Sequence, residues 1–279
     1  MHTSVDMIID CHCHAGEGDG LTGPWDTRAS LKDFLHWSEE AAITRTVLFP
    51  AFHTDYLMAN RAVARIVGRQ PGRFFGFAFV HPERDRGRVR ELVREAVEEH
   101  GFVGLKVHRH DARITREICA AARSYRLPVL YDVMGEVSVC ELLAAEYPDG
   151  PFIIPHLGSF ADDWRAQLAF IDPLARHPNI FTDTSGVRRF DLLLQAVRRA
   201  GAGKILFGSD GPWLHPGVEL AKVRALKLPP RDESLVLGGN CLRLLRRVRR
   251  QAPASVAVKA RAAPMEGEFR DPWTARRFA

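Results

Sequence analysis

Eight short apolar runs recur along the first 210 residues of this 279-residue chain, with stretches of helical length and amphipathic character between them. The runs are 7–14 (MIIDCHCH), 45–50 (RTVLFP), 74–80 (FFGFAFV), 102–108 (FVGLKVH), 127–132 (LPVLYD), 152–156 (FIIPH), 179–185 (NIFTDTS) and 204–210 (KILFGSD). Strands alternating with helices give a parallel sheet covered by helices, so the fold class is α/β. The stretch 88–100 sets Val89, Leu92, Val93, Ala96 and Val97 on one helical stripe. The stretch 163–177 is also helical, with a kink or break predicted at Pro173, which cannot donate to the preceding turn. Eight strand–helix units favour a closed (β/α)8 TIM barrel over an open doubly wound sheet, and such barrels use ~250 residues. Residues 1–246 are therefore assigned to the barrel and 247–279 to a C-terminal basic extension.

The charge balance supports that boundary. Lys and Arg number 39 against 34 Asp and Glu, a net +5. Eight of the basic residues and three of the acidic ones lie between Arg247 and Ala279, so the extension carries the whole excess and the preceding 246 residues are neutral overall. The extension is Ala/Pro-rich with weak periodicity and reads as a flexible tail without its own core. No nucleic-acid recognition motif accompanies its charge, so nucleic acid is not an expected partner. No apolar run approaches the ~18 residues of a membrane span, and the N-terminus lacks the pattern of a signal peptide. Five scattered cysteines, an odd number, argue against a disulfide framework, which leaves the cytoplasm as the expected location.

The polar residues that close the strands point to function. His12 and His14, Lys106 and His108, Asp132, His156 and Asp210 all fall at C-terminal strand ends, the rim that carries active sites in such barrels. Strand side chains alternate, so His12 and His14 share one face while Cys11 and Cys13 pack on the other, against the helices. Two imidazoles one pleat apart can grip one cation. Taken singly, His156 reads as well as a hydrogen-bonded core histidine, and Asp210 as a helix cap or turn residue. With the His-X-His pair, they make a plausible set of three nitrogens and one oxygen with a position open for water.

These motifs resemble the amidohydrolase superfamily, specifically the amidohydrolase-2 type of metal-dependent hydrolases and decarboxylases. The resemblance rests on HCH at 12–14, GLKVH at 104–108, PHLGS at 155–159, FGSDGPW at 207–213 and GGNCLRLL at 238–245. It implies metal-ligand positions for His12, His14 and Asp210, and a sixth-strand His156 that binds metal or activates the hydrolytic water. The fifth strand departs from the family pattern: LPVLYD places Asp132 where the family usually has a ligating histidine. Asp132 can replace that ligand through its carboxylate oxygen, or His108 can complete the set. The expected cofactor is one divalent metal ion, zinc before manganese or iron.

The function read from this is a metal-dependent hydrolase acting on a small carboxylate-bearing substrate by attack of a metal-activated water. Asp210 is the expected general base, and His156 a ligand or oxyanion stabiliser. Lys106, His108, Arg109 and Trp213 are the expected substrate contacts, with Trp25, His53, His110, Arg188 and His215 also at or near strand ends. A decarboxylase would need much the same site. A barrel that has lost catalysis and serves as a binding protein is the alternative from another class. The family resemblance also allows a homodimer.

Overall fold

A computed structural model describes residues 7–20 and 28–251 of the chain. Trp25 and the basic tail beyond Gln251 lie outside the described residues. The strands are β1 (Ile9–Glu17), β2 (Arg28–Ala29), β3 (Arg45–Pro50), β4 (Phe74–Phe79), β5 (Gly104–His108), β6 (Val129–Asp132), β7 (Phe152–Ile154), β8 (Ile180–Asp183) and β9 (Ile205–Leu206). They form one sheet in the order β2-β1-β3-β4-β5-β6-β7-β8-β9. All neighbours are parallel except β2, which pairs with the end of β1 as a short antiparallel flap. The flap is an addition to the eight strands expected; two residues are too few for a periodicity to show.

The sheet closes on itself at the seam between β1 and the chain beyond β9. Cys11 N–H donates to Phe207 O at 2.9 Å, Asp210 N–H to His12 O at 2.8 Å, and His14 N–H to Gly211 O at 2.7 Å. The result is an α/β barrel of TIM type. Its helices are α1 (Leu31–Glu40), α2 (Tyr56–Arg69), α3 (Val89–Arg94), α4 (Arg116–Tyr125), α5 (Ser138–Glu146), α6 (Trp164–Arg176), α7 (Phe190–Ala200), α8 (Pro216–Ala225), α9 (Pro230–Ser234) and α10 (Asn240–Leu245). Among the described residues, no helix is long and apolar enough to cross a membrane.

Two apolar layers explain why the sequence folds this way. Outward-facing strand residues such as Leu48, Leu105, Val107 and Ile154 join the helices in the larger core. Inward-facing Val47, Phe77, Leu130 and Leu206 fill the barrel floor, which Leu244 and Leu245 of α10 close from below. The stripe expected on 88–100 is buried at all five positions, although its last turn, Glu95–Glu99, widens to π-helical spacing. Helix α6 runs through Pro173 to Arg176 without the break that was one of the two outcomes expected there. Pro173 sits in the last turn, buried, where its ring forfeits a single backbone bond and its carbonyl still accepts from His177 N–H at 3.0 Å.

A correction concerns Cys11. The β1–β3 register shifts between Asp10 and Cys13, a bulge that interrupts the alternation. Cys11 therefore turns into the barrel floor while Cys13 packs outward, and His12 and His14 both still point inward. All five cysteines are buried free thiols.

Candidate active site

The strand ends surround a cavity of about 350 Å³ at the C-terminal mouth of the barrel. Its polar lining is His12, His14, Lys106, His108, Asp132, His156, Ser159 and Asp210; Phe52, Met134, Phe160 and Trp213 supply the apolar wall. The first of these residues divide into two clusters, each built on a carboxylate.

One cluster is centred on Asp210. His12 Nε2 lies 3.3 Å and His14 Nε2 3.5 Å from Asp210 Oδ1. The opposite ring nitrogens are already engaged: His12 Nδ1 contacts Asp183 Oδ2 at 2.8 Å, and His14 Nδ1 contacts the Pro50 carbonyl at 3.0 Å. A carbonyl or an ionised carboxylate can only accept, so both Nδ1 atoms carry hydrogen and both Nε2 atoms face Asp210. Burial pushes the His14 imidazole down to about 4, so it is neutral at neutral pH. Burial alone would raise the Asp210 carboxyl, but the neighbouring His12 and His14 outweigh it and hold it well below the usual carboxylate range. Two imidazole nitrogens and one carboxylate oxygen within 4.8 Å of one another are a donor set that could hold a divalent cation. The fixed Nδ1 partners are the outer supports that such ligands require.

The other cluster is centred on Asp132. His108 Nε2 stands 3.2 Å and His156 Nε2 3.4 Å from the same oxygen, Asp132 Oδ2. His108 Nδ1 accepts from His110 N–H at 3.1 Å, which places the proton on Nε2, facing Asp132. His156 Nδ1 lies 2.8 Å from the Ser185 carbonyl. Burial opposes a charge on His156, yet Asp132 lifts it to about 9, so it is an imidazolium at neutral pH. The carboxyl of Asp132 is correspondingly held well below its usual range by His108 and His156, against the effect of burial. Lys106 lines the same cavity, 1% exposed, its Nζ 5.0 Å from the Phe49 ring centre. Burial pushes its amine down, and the carboxylates of Asp132 and Asp210 oppose that.

Three residues of the cavity lining adopt left-handed backbone conformations that side chains seldom accept, Met134 at φ +48°, His156 at φ +57° and Asp210 at φ +58°. Such positions persist where the surroundings over-determine them, and they concentrate at functional sites. Asp210 is held by Asp10, which is fully buried and accepts from Ser209 N–H at 2.9 Å, Ser209 Oγ–H at 2.5 Å and His12 N–H at 3.1 Å. His156 is followed by Leu157 and Gly158, also left-handed. A Cβ on Gly158 would come within 2.9 Å of Phe170.

With this geometry, the match of the amidohydrolase family model to residues 9–247 is decisive. The chain belongs to the amidohydrolase family. Solved structures share its fold at low identity. A zinc-bound amidohydrolase from Burkholderia multivorans superposes with a TM-score of 0.68 at 16% identity, covering 86% of this chain and 99% of that one. A probable 2-pyrone-4,6-dicarboxylic acid hydrolase from Acinetobacter baumannii, with citric acid bound, gives 0.65 at 18% identity, covering 86% and 99%. A dihydroxybenzoic acid decarboxylase from Polaromonas, with manganese and the inhibitor 2-nitroresorcinol, gives 0.64 at 18% identity, covering 86% and 97%. No curated protein sequence matches the chain at a significant level.

Within this amidohydrolase, nearly all of the expected strand-end residues meet in the one cavity. Arg109 is the exception among the expected substrate contacts. It is absent from the lining, and its Nε donates to Glu136 at 2.8 Å. Of the other residues near strand ends, Arg188 pairs with Asp162 on the surface at 2.7 Å, and His215 caps α8. His53 and His110 also stand outside the lining. Sequence reasoning passed over Asp183 and Ser185, which tie His12 and His156 together from behind. Asp183 closes β8 just as the other site residues close theirs, so the strand-end rule applied without exception would have found it.

Proposed function

We propose that this amidohydrolase is a metal-dependent hydrolase of a small carboxylate-bearing substrate. The observation that carries the reading is the convergence of His12 Nε2, His14 Nε2 and Asp210 Oδ1 in a cavity that also holds a buried lysine. Nitrogen and oxygen donors in that ratio suit zinc first, and manganese or iron after it. His12, His14 and Asp210 would hold the ion. His156 and Asp132 are left to each other, so neither is assigned to the ligand set. When bound, the cation supplies Lewis acidity to a substrate oxygen and makes water a better nucleophile at neutral pH.

The chain's own groups do the rest. Asp210 takes the proton of the attacking water and delivers it to the leaving group. His156, kept cationic by Asp132, stabilises the negative charge that develops on the substrate oxygen. Lys106 binds the substrate carboxylate, and Trp213, Phe52 and Phe160 enclose the remainder of the molecule and exclude water. Trp213 brings a further donor, because its Nε1 is buried without a partner among the described residues.

Decarboxylation is the second reading, favoured by the apolar wall of Phe52, Met134, Phe160 and Trp213, which weakens the hydration of a bound carboxylate. Protein loaded in turn with zinc, manganese and iron, assayed against lactones, amides and aromatic carboxylic acids, separates the two: hydrolysis releases acid without CO2, and decarboxylation releases CO2. Wild-type protein that takes up none of these metals refutes both.

A further inference from the structure

Asp183 touches both clusters, and the chemistry above makes no use of it. It ends β8 and is completely buried. Its Oδ2 accepts from His12 Nδ1 at 2.8 Å. Its Oδ1 accepts three bonds: from Ser185 Oγ at 2.6 Å, Ser185 N–H at 3.0 Å and His156 N–H at 3.2 Å. Ser185 completes the link, its carbonyl 2.8 Å from His156 Nδ1. Room for this packing depends on Gly208, where a Cβ would stand 3.0 Å from His12 Cβ and 3.1 Å from Asp183 Cβ.

We propose that Asp183 is a positioning residue: one oxygen fixes His12 as the Nδ1–H tautomer, turning Nε2 toward the cation, while the other holds the left-handed turn that presents His156. The first half rests on the metal-dependent reading. A neutral imidazole has one N–H, and a carboxylate at Nδ1 forces that hydrogen there, leaving the Nε2 lone pair for ligation. Four donors converge on the Asp183 carboxyl, one on Oδ2 and three on Oδ1, the arrangement that suits a carboxylate acting only as acceptor. The second half follows from the His156 φ of +57°, which the Asp183 bond to its backbone N–H and the Ser185 bond to its ring hold from two sides.

The test has two arms. Long-range 1H–15N correlation spectra of chelator-treated wild-type protein report the His12 tautomer directly. Hydrogen on Nδ1 is expected, whether or not Nε2 also carries one beside Asp210, and a ring with hydrogen on Nε2 alone overturns the proposal. In the second arm, zinc affinity is measured by competition with a chromophoric chelator for wild type, Asp183→Asn and Ser185→Ala. An asparagine can offer its NH2 to His12 Nδ1 and invert the tautomer, the effect that the same substitution has in a serine-protease triad. Asp183→Asn is expected to bind zinc 10- to 100-fold more weakly, and Ser185→Ala, which keeps the His12 bond, to stay within threefold of wild type. Folded Asp183→Asn within threefold of wild type, or an equal loss in both variants, overturns the proposal. If Asp183→Asn does not fold, the wild-type tautomer decides. Wild-type protein that binds no zinc, manganese or iron refutes the metalloenzyme reading instead, while the tautomer still reports on Asp183.

Discussion

Replacing Asp132 with asparagine separates the metal-ligand role that the sequence suggests for it from its partnership with His156. In the chelator-treated protein the carboxylate holds His156 at about 9 rather than 6.5. Each tenfold change in a protonation equilibrium is about 1.4 kcal/mol, so that rise amounts to roughly 3 kcal/mol. The downward shift of Asp132 reflects the same interaction and is counted once. Between pH 6.5 and 9 the folded protein binds more protons at His156 than the unfolded chain does. The stabilisation is therefore complete below pH 6.5 and lost as pH rises through 9. Asp132→Asn removes the largest attraction, burial then dominates, and the downward slope in this window disappears. At pH 6 the variant is expected to be less stable by ~3–5 kcal/mol, the usual cost of orphaning a buried ion, and the gap should narrow by about 3 kcal/mol by pH 9.5. Urea titrations of both proteins from pH 6 to 9.5 measure this. Zinc affinity should stay within threefold of wild type, because Asp132 bonds to His108 and His156 and stands outside the His12, His14 and Asp210 donor group. Parallel stability curves would refute the ion-pair argument, and a tenfold loss of zinc affinity would return Asp132 to the ligand set.

Lys106→Met should raise KM for a carboxylate substrate roughly 100-fold while leaving KM for its methyl ester nearly unchanged, since a buried charge pair at an effective dielectric near 20 is worth about 4 kcal/mol before hydration is repaid. The same variant should melt no lower than wild type in calorimetry, because it removes a buried charge. Gly158→Ala, at φ +93° and 2.9 Å from Phe170, should cost ~1–3 kcal/mol in urea unfolding, and an unchanged midpoint would contradict the packing described. Lys204, whose amine is brought down to about 8 by burial and by Arg243, should titrate near pH 8 in NMR of 13C-methylated protein. As the folded state sheds that proton first, this residue's contribution to stability should increase as pH climbs from 8 to 10.5.

The sequence made the barrel and most of its mouth legible for one reason: a residue costly to bury, placed where an apolar run ends, has few explanations other than a site. His12, His14, His156 and Asp210 met that condition. Asp183 met it too, yet it fell inside the run 179–185 read as strand rather than at its end, and its contact with His12, 171 positions away, shows what it does. Arg109 failed for the converse reason: its position after a strand end says nothing about side-chain direction, and Glu136 claims it. The Cys11 correction and the unbroken helix at Pro173 are of the same kind. A one-residue bulge and a proline confined to a last turn alter faces and bends without leaving a mark on hydrophobic periodicity.

The seam where the barrel closes carries a further consequence. His12 and His14 belong to the first strand of the chain and Asp210 to the stretch after the last, joined there by the bond from Asp210 N–H to His12 O at 2.8 Å. A cation chelated by the three would act as a clasp across the join, closing a loop of nearly 200 residues, and ions that bind only the closed form stabilise it by mass action. The donor set is incomplete until the final strand has arrived. A half-made chain thus has the histidines but not the carboxylate, and a cation would be gripped by all three only once the ring is complete.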